Sequence, residues 1–290
     1  MPSTSFLDVF GLLTDLLVIA VVLTGLAVSL RRSAAPSQVR TGATITVMVL
    51  AWYGVSTYLA AHDVFRASKA VTVPAIPFAV FLPIIAGLWL IFRSRIMAHI
   101  IDATPLSWLI GVQVYRVVGV IFLILLGAGQ LPPEFALPAG SGDLLVGLLA
   151  LPVAWVVHTG SKRALTAAYV WNALGILDLV VALATGFLTS PGPVQLLALD
   201  HPNLIASAYP LVMIPVFLVP LSLILHGLCV WKLRRVSSAG VRDGESMPSV
   251  SSSAPRRRRH CAPRLTGRAL WHSTVAVRRS SQAVHVSQRT

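Results

Sequence analysis

Seven apolar stretches, each close to the length a helix needs to cross a bilayer, constrain this chain more than any motif in it. They lie at about 9–30, 42–61, 75–92, 106–128, 138–158, 164–187 and 207–231. A hydrocarbon core about 30 Å thick takes roughly 20 helical residues. One water-facing surface cannot accommodate seven such runs. Only 11% of the residues are charged and 56% are hydrophobic, whereas a soluble domain carries about 25% charged residues. The expected fold is all-α, a polytopic transmembrane bundle of seven helices. Pro77 and Pro83 interrupt the third stretch.

Charges between the stretches predict an orientation. Arg31, Arg32 and Arg40 follow the first stretch, Arg93 and Arg95 the third, and Lys162 and Arg163 the fifth. The opposite loops hold only Arg66 and Lys69. Cytoplasmic loops are rich in Lys and Arg, which puts the N-terminus outside and the C-terminus inside. No Lys or Arg precedes the first run, so it reads as a retained helix rather than a signal peptide.

The net charge of +13 belongs mostly to one end. Residues 232–290 carry 13 of the 23 Lys and Arg, with Asp243 and Glu245 as their acids. The chain therefore divides into a bundle, 1–232, and a basic cytoplasmic tail, 233–290. From 237 onward the tail is Ser-, Arg- and Val-rich with no sustained apolar face, and it reads as disordered. Positions 256–259 are four consecutive arginines. The tail orients and solvates the chain, and anionic lipid is its sharper expected partner. Beyond the bilayer no partner follows from the sequence. Nucleic acid is not expected, and the oligomeric state is not encoded in any visible pattern.

Four charged residues lie inside apolar stretches: Asp15 in the first, Arg116 in the fourth, Asp143 in the fifth and Asp178 in the sixth. A charge at a helix centre costs about 2.5–3.5 kcal/mol on insertion scales. Each therefore needs a partner, water or a task. At about 1.5 Å of rise per residue, the three acids share one half of the membrane, with Arg116 below them within snorkelling reach. Helical spacing puts Gln113, Arg116, Gly119 and Leu123 on one face. It does the same for Gly140, Asp143, Gly147, Ala150 and Ala154, and for Asn172, Gly175, Asp178 and Ala182. Small residues beside the charges allow close helix approach.

The candidate solute-binding residues are Arg116, Asp143, Asn172 and Asp178, with Asp15, Gln113 and His226 as secondary candidates. Two readings stay open. The charges form a solute or proton site, or an Arg–Asp pair that only fixes helix packing.

Pro210, Pro215 and Pro220 fall in the last stretch, and each removes a backbone donor. Irregular backbone at membrane depth survives where protein or a water-filled cavity covers it. His226 lies in the inner half of that helix, with His99 and His158 near the same surface. One secure intramembrane imidazole is too few for a bis-histidine haem. The dipeptides His62-Asp63 and Asp200-His201 are a weak metal pattern. Cys229 and Cys261 make neither a disulfide framework nor a zinc site. No phosphate loop, HExxH, GxSxG or kinase signature occurs. We therefore expect no catalytic residues, no metal and no cofactor. The expected function is binding or transport of a small solute. The alternative is a non-transporting sensor, or the anchor subunit of a larger complex.

One set of residues carries a resemblance. It comprises Arg116-x-x-Gly119 and Leu131-Pro132-Pro133-Glu134-Phe135-Ala136-Leu137-Pro138-Ala139-Gly140-Ser141-Gly142-Asp143. It continues with Asn172-x-x-Gly175-x-x-Asp178 and Ile214-Pro215-x-Phe217-x-Val219-Pro220, followed by His226. The stretch 113–227 resembles a family of uncharacterised bacterial multi-pass membrane proteins. The resemblance implies location in the bacterial cytoplasmic (inner) membrane and brings no activity with it. The last 50 or so residues are unlike that family.

Overall fold

The computed structural model describes residues 9–11, 13, 14, 16, 17, 20, 24, 25, 36–68, 75–93, 101, 102 and 104–245, with backbone alone at 36–38 and 237–245. Among the described residues every regular element is helical. Six helices among the described residues are long and apolar enough to cross a membrane. We label them α1 (Pro36–Ala61), α2 (Ala75–Arg93), α3 (Leu106–Gly127), α4 (Pro133–His158), α5 (Ala164–Thr189) and α6 (Ile214–Val236, continuing to Glu245). The described positions between 9 and 25 are helical. The rest of the first expected span, Asp15 included, lies outside the described residues, as does the tail beyond 245.

Burial separates the helices into a centre and a rim. Half of the apolar window of α3 and of α6 is buried, against 11% in α1 and α2. The exposed faces are strongly apolar, with Phe78, Leu82, Ile85, Trp89 and Phe92 outward on α2 and Leu148 and Trp155 outward on α4. α4 packs along both α3 and α5, while α6 packs against α2, α3 and α5. One buried cluster gathers Phe217, Leu211, Leu125, Phe135 and Tyr115. A second joins Ile110, Val146, Trp171, Cys229 and Leu233 at the other end of α3.

Several boundaries differ from those expected. α4 begins at Pro133, not 138, because a proline in the first turn has no N–H to satisfy and its fixed φ suits the helix. α2 runs through Pro83 unbroken. α6 opens as a π-helical turn, Ile214–Leu218, and stays helical to Glu245, past the expected limit of 232. Part of that extension is anchored. Lys232 Nζ donates to the carbonyls of Ile101 (2.9 Å), Asp102 (3.1 Å) and Thr104, and Arg235 pairs with Asp102 at 2.7 Å.

The middle of α3 is not α-helical. Val112–Gly119 is a 3₁₀ run of eight residues, about twice the usual length. Residues three apart eclipse in a 3₁₀ helix, so Gln113, Arg116 and Gly119 stand in one row, and all three are buried.

Candidate functional site

The row on α3 points into the bundle, and three helices answer it. Arg116 Nε donates to Asp143 Oδ1 on α4 at 2.8 Å. Arg116 Nη2 donates to Asp178 Oδ2 on α5. Arg116 Nη1 donates to the Gly175 carbonyl of α5 at 3.3 Å and lies 3.2 Å from His226 Nε2 on α6. All three guanidinium nitrogens are thus held by protein. The arginine side chain is 1% exposed, with Asp143 at 8% and Asp178 at 10%.

The tautomer of His226 follows from its partners. A guanidinium can only donate, so His226 Nε2 accepts. Nδ1 then carries the proton and donates to Asn172 Oδ1 at 2.9 Å. The imidazole is neutral in this arrangement. Both ring nitrogens are engaged.

Glycines make this approach possible. A Cβ at Gly119 would overlap Asp143, one at Gly142 would overlap the Asp178 carboxylate, and one at Gly175 would overlap the His226 ring. Beside the cluster, the Tyr115 and Ser222 hydroxyls bond at 2.7 Å. Trp171 packs 5.1 Å from His226 between ring centroids, with Nε1 donating to Val146 O at 3.0 Å.

A cavity leads to the cluster. It holds about 50 Å³ of space open to water centres, and its walls include Phe122, Phe135, Ala182, Leu183, Ile214 and Val219. Phe135, Ala139 and Asp143 line it at successive turns of α4, so it runs about 12 Å along that helix. Ser190, Asn203 and Ser207, from the segment that joins α5 to α6, line it too. A smaller space of about 10 Å³ touches Tyr115, Arg116, Asp143 and Ser222. Asp143, Ile214 and Val219 border both.

The structure therefore brings Arg116, Asp143, Asn172, Asp178 and His226 into one network. Gln113 is fully buried one turn from Arg116, yet neither of its side-chain polar atoms has a partner among the described residues. Asp15 lies outside them. His62 Nδ1 lies 2.8 Å from the Tyr58 carbonyl and Asp63 pairs with Arg66, so that dipeptide is committed locally. Among the described residues no group of three or more His, Cys, Asp or Glu side chains could hold a metal. Sequence reasoning missed the Gly175 carbonyl, Asn203 and the cavity itself. A lone asparagine after Ser190-Pro191-Gly192-Pro193 gave no signal of its own.

Among the described residues, six helices of membrane-crossing length and apolarity and a buried ionic network fit a multi-pass helical membrane protein. Residues 73–234 match the family model described as a domain of unknown function, DUF8737. The chain belongs to that family, and the match takes in α2 to α5, most of α6 and every member of the network. No curated protein and no solved structure matches the chain.

Proposed function

We propose that this protein binds a small solute within the membrane, and moves it across, at the cluster of Arg116, Asp143, Asn172 and Asp178. The observation that carries this reading is the apolar-walled cavity that Asp143, a member of the network, helps to line. Polar groups at the end of an apolar pocket are the usual form of a small-molecule site. The π-helical turn that supplies Ile214 and Pro215 to the wall fits it, since such turns sit often at functional positions. In this reading the protein is a seven-helix component of the bacterial cytoplasmic membrane, N-terminus outside. The cavity then opens outward through the segment at 190–207, and the basic tail meets anionic lipid inside.

A second reading has one observation in its favour. Every nitrogen of Arg116 is already held by protein, as in a lock between helices. The protein would then be a non-transporting sensor or an anchor subunit.

Thermal melts of the detergent-purified chain against a metabolite and lipid panel separate the two, with Asp178→Asn beside the wild type. A stabilising hit that vanishes in the variant, whose own melting point stays close to wild type, supports the site. No hit, together with a sharply lowered melting point in Asp178→Asn, gives the lock.

A further inference from the structure

We propose that the solute is a compact apolar molecule carrying a hydrogen-bond acceptor oxygen, of the carbonyl or carboxylate kind, which it offers to Nδ2 of Asn203 in the cavity wall. The proposal rests on the solute-binding reading above and names the class of solute.

Asn203 lies in the segment that joins α5 to α6, lines the cavity and is 1% exposed. Its backbone N–H donates to the Thr189 carbonyl at 2.9 Å, and its Oδ1 accepts the Ala206 N–H at 3.3 Å. A backbone N–H can only donate, so the amide atom that meets it is the oxygen. That fixes the flip of the side chain and leaves the nitrogen, with its two N–H groups, as the free end. Nδ2 has no partner among the described residues.

A buried donor without an acceptor is costly, and only an acceptor relieves it. An ammonium group brings further donors and no lone pair. A carbonyl or carboxylate oxygen supplies what Nδ2 lacks. Ser207, on the same wall, is already satisfied. Its hydroxyl accepts the Ala67 N–H at 3.0 Å and donates to the Leu204 carbonyl at 2.8 Å.

The rest of the wall sets the body of the solute. The Phe122 and Phe135 rings stand 5.0 Å apart between centroids, and Ile76, Leu183 and Val219 add aliphatic surface. A further polar group on the solute would be buried against these side chains without a partner. One placed polar contact among apolar walls is how such pockets orient what they hold.

The volume bounds the size. A water needs about 10–15 Å³ of such space, so about 50 Å³ holds three to five waters. A solute of about five non-hydrogen atoms, each of the order of one water, fills it.

Cyclobutanone, methylenecyclobutane and cyclobutylamine share one ring and differ in what they present: an acceptor, nothing, or a cation. Cyclobutanecarboxylate adds the charged acceptor. Their dissociation constants for the detergent-purified chain, by ligand-observed NMR titration, test the proposal. Each probe is compared between wild type and variants in the same detergent, which cancels its partition into micelles. Asn203→Leu removes the donor and should weaken cyclobutanone at least about tenfold, with methylenecyclobutane unchanged within about threefold. Asn203→Asp keeps an oxygen for the Ala206 N–H and puts an acceptor where the donor was. At about pH 9, above the carboxylate range, it should weaken the ketone as much and strengthen cyclobutylamine. Ala182→Phe fills the cavity without touching a polar group and should abolish binding of every probe. It keeps the test decisive if the Asn203 variants do not fold.

Cyclobutanecarboxylate binding tighter than the ketone, with the same loss in Asn203→Leu, supports the acceptor and makes the solute an acid. The ketone binding tighter makes it neutral. Ketone and carboxylate affinities that both survive Asn203→Leu, or cyclobutylamine binding tightest to wild type, overturn the acceptor class and leave a solute site standing. Binding undiminished in Ala182→Phe overturns the cavity as its place. No binding by any of the four overturns the proposal, and a blank metabolite panel beside it overturns the solute-binding reading as well.

Discussion

Replacing Arg116 by methionine isolates what the guanidinium does. Methionine keeps a long flexible apolar side chain in the same space and removes every donor. Asp143 Oδ1 loses a 2.8 Å bond, Asp178 loses its partner, and the Gly175 carbonyl and His226 Nε2 lose theirs. Removing one partner of a buried ion pair costs about 3–5 kcal/mol, because the other charge is stranded. Here two carboxylates are stranded, each 10% exposed or less, which places the loss at about 5 kcal/mol. At about 2–4 °C per kcal/mol for a domain of this size, the melting point should fall by roughly 10–20 °C. The comparison is with Arg116→Met/Asp143→Leu/Asp178→Leu, which replaces all three charges by apolar side chains together. Neutral replacement of a whole buried network is often harmless, so most of the loss should return, to within about 2 kcal/mol. Neutralising one acid alone should not suffice, because the arginine serves both. Melts in detergent and in nanodiscs would read these differences. An Arg116→Met variant within 2–3 °C of wild type, or a triple variant no better than the single, would show that the charges are not coupled as described.

Further expectations follow from the neighbours of Arg116 and from the end of α6. Asn172→Ala leaves the His226 Nδ1–H buried without an acceptor, at a cost of about 1–3 kcal/mol. In a His226→Phe background that cost should largely disappear, which a double-mutant cycle on melting points can check. Gly175→Ala drives a methyl group into the His226 ring and should cost about 1–3 kcal/mol. A variant that melts like wild type would put the ring elsewhere. Lys232→Met removes the ammonium bonds to the carbonyls of Ile101, Asp102 and Thr104. Its partly exposed position holds the loss to about 1–2 kcal/mol. Hydrogen exchange should quicken around 101–104 ahead of α3 and stay unchanged at Asp143.

Length and hydropathy made most of this architecture legible. The second to sixth expected spans overlie α1 to α5, because an apolar run of membrane-crossing length has few other conformations. Depth and face put Arg116, Asp143 and Asp178 within reach of one another, and the three do pair. Periodicity gives the side of a helix but never its neighbour. Sequence put His226 on the inner half of the last helix as a secondary candidate, and its bond to Asn172 on α5 depends on tertiary fit. The Gly175 carbonyl became an acceptor for the same reason, since no side chain marks a backbone oxygen. Prolines misled in two directions. At 133 proline opens a helix that was expected to begin five residues later, and at 83 it breaks nothing. The π-helical turn and the cavity beside it come from how α6 settles among its neighbours, which one chain's local pattern does not specify.

The 3₁₀ run in α3 also makes that helix a wound screw. Eight residues at about 2.0 Å each are some 4 Å longer than the same eight in α-helical form. They turn about 120° per residue instead of 100°, so the two ends of α3 differ by roughly 160° of rotation between the forms. Leu106–Gly111 is held against Trp171 and Cys229 at one end. Ile121, Phe122 and Leu125 are held against Phe135 and Phe217 at the other. Arg116 is the bolt through the middle of the thread. Its bonds to α4, α5 and α6 set the angle at which the two gripped ends can coexist. Anything that loosens those bonds also frees the pitch of the helix, and an event the size of one ion pair would be felt at both ends of α3.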